Sequence, residues 1–253
     1  MRWHVHDLHS RIAEGALRGN VAVVIDVLRA STTMVTALAH GAAGVVPVAG
    51  VDEARRRAAA IGQAAVLGGE RGGVRIDGFD LGNSPAEYTA GRVAGRTVVI
   101  TTTNGTAAIA SCAEAHDVLV GAIVNRSAVA AAARRLAAEA GGAVHLVCAG
   151  TDGAVTAEDV LAAGAILDAA ARDPVAAGDE LDGPARAARD AFRRLTAGGA
   201  ADLPALQRAF AAAPGGFNLV ALGMAADLAT CAGLDSVAVV PRLDRASGTL
   251  ERA

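Results

Sequence analysis

The sequence predicts an α/β fold, mostly parallel sheets flanked by helices, and three observations predict it. Short apolar runs such as VAVVID and AVHLVCA alternate with Ala-rich segments of helical length, the pattern of strands joined by crossover helices. Hydrophobic residues make up 53% of the chain but aromatics only 2%, so the core is expected to be closely packed small side chains. The unusual polar residues collect just after the apolar runs, where open parallel sheets bind ligands.

Taken in order, strands are expected near 21–26, 44–48, 65–67, 97–101, 117–123, 143–149 and 236–241. Helices are expected near 30–40, 51–61, 84–91, 104–114, 127–140, 156–172, 184–197, 202–212 and 217–232. Segment 173–216 turns to Pro, Gly and charge without a strand pattern and reads as a helical insertion or cap. The chain reads as a single α/β unit over 1–253, with a division into two α/β subdomains near 115–125 as the variant of that reading.

A net charge of −3, with the basic residues scattered, gives no nucleic-acid footprint and points to small-molecule partners. All of the basic residues are Arg. Three widely spaced cysteines make neither a disulfide framework nor a CxxC metal site. No apolar run nears the length of a membrane span, and the first residues lack the apolar region of an export signal. A cytoplasmic protein is therefore expected. A homodimer is expected because two-fold assemblies are the commonest oligomers.

Three blocks carry the chemistry. In VVITTTNGTAAIA, Thr101, Thr102, Thr103 and Thr106 surround the Asn104-Gly105 turn where a strand hands over to a helix. Unpaired N–H groups at a helix start attract anions, and the hydroxyls add donors. An ordinary N-cap is the alternative, although one Thr or Asn would suffice for it. In DVLRASTT, Asp26 is placed at a strand tip to hold Mg²⁺ and Arg29 to clamp an oxyanion with its fork; a capping Asp and a surface Arg are the alternative. The long Gly-rich block GGERGGVRIDGFDLGNSP holds Glu70, Arg71, Arg75, Asp77, Asp80, Asn83 and Ser84, and its embedded Ile76 and Phe79 argue for an ordered loop. Glu158 and Asp159, after CAGTDGAVT, read equally as capping acids or metal ligands. Cys148 reads as a buried small hydrophobe.

Several phosphate-handling routes fail on spacing. Without lysine there is no Walker A loop. The positions six after each cysteine are Val118, Ala154 and Val237, so no Cys-x5-Arg phosphatase motif exists. Leu28 occupies the place of the second Asp of a DxDxT motif, and both Arg-His-Gly and GxGxxG are missing. What survives is metal-assisted attack on a phosphoryl or related oxyanion group.

Together VVIDVLRASTT, LGGERGGVRIDGFDLGNSPAEY, TTTNGTAAI, VGAIVN, CAGTDGAVTAEDVLAAG and DLATCAGLDSVAVVP resemble the 2-phosphosulfolactate phosphatase family, in order from about Val21 to about Leu250 and most weakly across 173–216. The resemblance implies a Mg²⁺-dependent phosphatase that converts (2R)-2-phospho-3-sulfolactate to 3-sulfolactate and phosphate, a step of coenzyme M biosynthesis in methanogens. On this reading Asp26, with Glu70 or Asp80, holds Mg²⁺, and Asp26, Arg29 and Glu70 are the catalytic set. Arg71, Arg75, Asn83, Ser84, Thr102, Thr103, Asn104, Gly105 and Thr106 receive the anionic substrate, and water is the attacking group. An isomerase, lyase or transferase acting on another phosphorylated 2-hydroxy acid, and a non-catalytic anion-binding protein, are the alternatives.

Overall fold

The structure, a computed structural model, describes residues 1–196 and 203–253. The ends of the helices expected at 184–197 and 202–212 that fall on 197–202 lie outside the described residues. Among the described residues eleven strands form one sheet: β1 (Arg2–His6), β2 (Val21–Ile25), β3 (Gly44–Pro47), β4 (Ala65–Arg71), β5 (Val74–Arg75), β6 (Thr97–Thr101), β7 (Asp117–Gly121), β8 (Val144–Cys148), β9 (Glu180–Leu181), β10 (Pro241–Asp244) and β11 (Thr249–Arg252). The helices are α1 (Ala30–Ala39), α2 (Val51–Ile61), α3 (Ala90–Val93), α4 (Gly105–Ser111), α5 (Arg126–Ala140), α6 (Ala157–Ala170), α7 (Gly183–Leu195), α8 (Leu203–Ala212), α9 (Pro214–Ala221) and α10 (Ala226–Cys231).

The strand order is β5-β4-β6-β3-β11-β10-β7-β2-β8-β1-β9. Two parallel groups, β4-β6-β3 and β7-β2-β8-β1-β9, are joined through the antiparallel β10-β11 hairpin at the middle of the sheet. The expected mostly parallel α/β architecture is thus present, with a C-terminal hairpin as its seam.

Strand β2 shows why the sheet needs helices on both faces. All five of its residues are buried, and side chains alternate across a strand. Val21, Val23 and Ile25 enter one core with Phe192 and Phe210, while Ala22 and Val24 enter the other with Met34, Leu38 and Tyr88. The small side chains that dominate the sequence let both layers pack closely. Asp26, the next residue along, emerges at the strand end between these layers.

Several elements differ from expectation: β1, β5, β9 and β11 are strands that the sequence pattern does not predict, and β4 runs on past residue 67. The apolar run at 236–241 becomes a strand only at Pro241. Before that point its backbone is tied to the turn after β7, with Val237 N donating to Val124 O and Asn125 Nδ2 donating to Val239 O, both at 2.9 Å. The helix expected at 217–232 is two helices, interrupted at Gly223, whose φ of 75° ends α9 in a left-handed turn. The helix expected at 84–91 is a 3₁₀ turn at Pro85–Glu87 followed by the short α3. Segment 173–216 is largely helical as expected, but β9 within it also adds an edge to the sheet. Among the described residues, no helix is long and apolar enough to cross a membrane.

Candidate active site

The carboxyl ends of β2, β4 and β6 and the loop after β8 converge on a cleft of about 110 Å³. Asp26, Arg29, Glu70, Asn83, Thr103, Asn104, Thr151 and Asp152 line it on the sheet side, and Gly215, Asn218, Leu219 and Leu222 close it from α9 and its C-terminal cap.

Asp26 is fixed by its own chain. Its N–H donates to Ser31 Oγ at 2.9 Å, and its Oδ1 accepts from Ala30 N at 3.3 Å. Burial pushes its carboxyl up to about 7; the Ala30 hydrogen bond opposes the shift, and the neighbouring charges of Glu70 and Glu158 reinforce it. A Cβ at Gly105 would stand 2.7 Å from Asp26 Oδ2, so only glycine lets the start of α4 approach this carboxylate.

Arg29 reaches the cleft but is already engaged. Nη1 donates to Asp227 Oδ2 at 2.8 Å and to Met224 Sδ at 3.0 Å, and Nη2 donates to Gly73 O at 2.9 Å. Both members of this ion pair are buried. Ser84 Oγ donates to the other oxygen of Asp227 at 2.6 Å. Arg29 and Ser84 thereby meet on α10.

Glu70, buried at the end of β4, accepts from Thr103 N at 2.7 Å on Oε1 and from Gly73 N at 2.7 Å on Oε2. It holds the β4-β5 turn against the loop before α4. In that loop Thr102 Oγ1 accepts from Thr106 N, and Thr106 Oγ1 donates to Thr102 O. The Thr102 hydroxyl thus satisfies one N–H of the first turn of α4, while Thr103 and Asn104 line the cleft.

Arg71, Arg75, Asp80 and Ser84 lie outside the cleft lining. Arg71 donates to Glu70 O and to Thr101 Oγ1. Arg75 is exposed on β5. Asp80 is exposed too, and its Oδ2 accepts from Leu67 N at 2.8 Å, which satisfies the edge of β4. Asn83 does line the cleft; it is buried, and its Oδ1 has no hydrogen-bond partner.

Glu158 and Asp159 turn out not to form a capping box. Asp159 accepts from Val27 N at 2.9 Å and Gly150 N at 3.0 Å, tying the ends of β2 and β8 together. Glu158 Oε1 accepts from Gly215 N at 3.1 Å, and Oε2 has no partner. Burial raises both carboxyls, that of Asp159 most strongly, with the charge of Asp26 adding to it. Asn218 and Asp227 were not singled out by the sequence, because no spacing links them to the strand tips; Asp152 follows β8 within CAGTDGAVT but was passed over for Glu158 and Asp159.

Two other groups are excluded from the chemistry by position. Cys148 is fully buried, and burial raises its thiol well above the ordinary range. His4, His6 and His145 stack on one another beside Asp182 rather than at the cleft.

The charge balance of the cleft is negative. Asp26, Glu70 and Asp152 line it, with Glu158 behind Gly215, whereas its one lining arginine is paired with Asp227. Among the described residues no three His, Cys, Asp or Glu side chains form a ready-made metal centre. Mg²⁺, however, commonly takes only one or two carboxylates and completes its shell with substrate oxygens and water. The donors here are hard oxygens, and the raised carboxyls and the unpartnered Glu158 Oε2 are what an added cation would relieve. The residues fit the ion.

Comparison with known proteins agrees with the geometry. The sequence model of the 2-phosphosulpholactate phosphatase family matches residues 7–246. A probable 2-phosphosulfolactate phosphatase of Symbiobacterium thermophilum is 44% identical over 226 residues, 89% of this chain and 91% of that protein. Proteins given the same description in Deinococcus radiodurans and Clostridium acetobutylicum are 50% and 43% identical over 150 and 157 residues, covering 59% and 62% of this chain and 61% and 65% of theirs. The matched span takes in every strand tip that builds the cleft, and the chain belongs to the 2-phosphosulpholactate phosphatase family, hydrolases of phosphoric monoesters.

Proposed function

We propose that the chain hydrolyses (2R)-2-phospho-3-sulfolactate to 3-sulfolactate and phosphate and requires Mg²⁺ to do so. The observation that carries the metal requirement is the charge of the cleft. Its lining carboxylates outnumber a single arginine that is itself neutralised by Asp227. A substrate bearing phosphate, sulfonate and carboxylate enters such a cleft only if cations offset the repulsion.

Asp26 and Glu70 are the carboxylates that would hold Mg²⁺; when bound, the ion supplies charge neutralisation and Lewis-acid polarisation of the phosphoryl group. The other roles fall to this chain's own groups. Burial raises the Asp26 carboxyl, and a cation held there would keep it ionised. Asn83 offers an unpaired amide oxygen, and Asn104 adds a polar group to the lining. Leu219 and Leu222 give the cleft an apolar wall. The three free, buried cysteines suit a reducing compartment and supply no nucleophile.

The test is phosphate release from racemic 2-phosphosulfolactate, phospholactate and an aryl phosphate, with Mg²⁺ and then with EDTA. Metal-dependent release favouring the sulfonate is expected. Release only from the other esters would discard the named substrate. Turnover that survives EDTA would discard the metal, and conversion without phosphate release would favour an isomerase, lyase or transferase.

A further inference from the structure

We propose that Asn218 is a specificity-determining residue whose side-chain amide donates to the sulfonate of the substrate; the inference rests on the phosphosulfolactate reading above. Four residues of α9 and its C-cap line the cleft, and their spacing is that of one helix face: Gly215, Asn218, Leu219 and Leu222 stand at i, i+3, i+4 and i+7. Gly215 has no side chain and the two leucines are apolar, so Asn218 supplies the polar side chain of that face. Its backbone carbonyl accepts from Leu222 N at 3.0 Å within the helix, whereas its side-chain amide has no hydrogen-bond partner among the described residues.

The helix that presents this amide is held at both ends. A Cβ on Gly215 would stand 3.7 Å from Leu28 Cβ, and one on Gly73 would stand 2.6 Å from Leu222 Cδ1. Leu219 is buried in the main core. Leu28 lies just beyond Asp26 and Gly73 just beyond Glu70. The helix therefore rests on the segments that follow the two carboxylates assigned to the cation, with Asn218 near the middle of its span.

A phosphate drawn to a cation at Asp26 and Glu70 leaves the rest of the substrate to reach α9. In 2-phospho-3-sulfolactate the carboxylate carbon is bonded directly to the carbon that carries the phosphoester, whereas the sulfur lies one bond farther out. The sulfonate is thus the group that extends farthest from the phosphoryl site. The cleft has no spare guanidinium for it, because Arg29 is taken up by Asp227, Met224 and Gly73 O. A sulfonate spreads one negative charge over three oxygens, each able to accept from a neutral amide N–H.

The test is substrate discrimination. Asn218→Leu keeps a side chain of similar length and removes the donor, and Asn218→Asp sets a negative charge in its place. Phospholactate, which lacks the sulfonate, is the reference ester. For 2-phosphosulfolactate, kcat/KM is expected to fall about tenfold in Asn218→Leu, the worth of one hydrogen bond to a charged group, and further in Asn218→Asp, while turnover of phospholactate stays at the wild-type level in Asn218→Leu. Calorimetric titration with the product 3-sulfolactate should weaken by the same factor in Asn218→Leu, and titration with lactate should not change. Asn218 is exposed, so Tm should stay within about 1 °C of the wild type. An equal loss for both esters, or an undiminished preference for the sulfonate in Asn218→Leu, would overturn the proposal while leaving the phosphatase reading intact. A wild-type protein that releases no phosphate from 2-phosphosulfolactate would overturn the proposal and the named substrate together.

Discussion

Replacing Arg29 with Gln distinguishes a strut from a substrate clamp. Arg29 and Asp227 are 3% and 5% exposed and meet at 2.8 Å. Removing one partner of a buried ion pair leaves the other charged and desolvated, at a cost of about 3–5 kcal/mol. Ser84 Oγ still donates to Asp227, so the lower end of that range is expected. A chain of 253 residues loses about 0.5 kcal/mol of stability per degree near its melting point, which sets the expected fall in Tm at about 6 °C. The same substitution frees Gly73 O and detaches the β4-β5 turn from α10. Thermal melts of Arg29→Gln, Asp227→Asn and the double variant are the assay. The double variant should be less destabilised than the two single losses combined, because it leaves no unpaired charge. A melt of Arg29→Gln within about 1 °C of the wild type would show that the pair carries no structural weight, and the reasoning would fail.

Three further outcomes are expected. Gly105→Ala brings a Cβ to 2.6 Å from Ala30 Cβ and 2.7 Å from Asp26 Oδ2; an overpacking loss of about 1–3 kcal/mol together with lost phosphate release is expected, and an unchanged melt and turnover would refute the close approach. Asn83→Ala removes a buried acceptor that has no donor, so stability should hold or rise, while kcat/KM falls about tenfold if the amide meets substrate; undiminished kcat/KM would remove Asn83 from the site. Burial holds the His145 imidazole down at about 4, helped by His4 and His6. Its folded-state value lies below the unfolded one, so this stability is present above pH 6.5 and is lost as pH falls toward 4. The full shift corresponds to at most about 3.4 kcal/mol, and partial solvation of the cluster reduces it to about 1–2 kcal/mol. The difference in Tm between wild type and His145→Gln should therefore narrow as pH drops from 8 to 5, and a constant difference would sink the assignment.

Much of the fold was legible because its strands are continuous apolar runs. VAVVI and VHLVC are buried on both faces, and no helix period competes with them. The elements that were missed or misplaced obey tertiary constraints. Strand β4 continues through Gly68, Gly69, Glu70 and Arg71, a run that reads as loop from its glycines. The glycines are there because a Cβ on Gly68 would overlap the Tyr88 hydroxyl and one on Gly69 would overlap the Thr101 carbonyl. Residues 236–240 look like a strand in isolation, but the turn at Asn125 claims their hydrogen bonds first. Strand β9, two residues long, has no periodicity to detect.

The site was legible at the strand tips and opaque in its electrostatics. Asp26, Glu70, Asn83, Thr103 and Asn104 come together as their positions after strands imply. The arginines beside them invited the idea of a cationic cradle, and that idea depends on where each guanidinium ends. Arg29 ends on Asp227, Arg71 on the carbonyl of Glu70 and on Thr101, and Arg75 in solvent. Only long-range contacts such as that between residues 29 and 227 decide this, and no local spacing encodes them. With Arg29 and Arg71 engaged by the protein's own groups and Arg75 in solvent, the cleft retains an excess of carboxylates around Asp26. On the proposed Mg²⁺-dependent reading, affinity for a multiply charged anion is supplied by bound cations, and the metal is then a condition of binding as much as of chemistry.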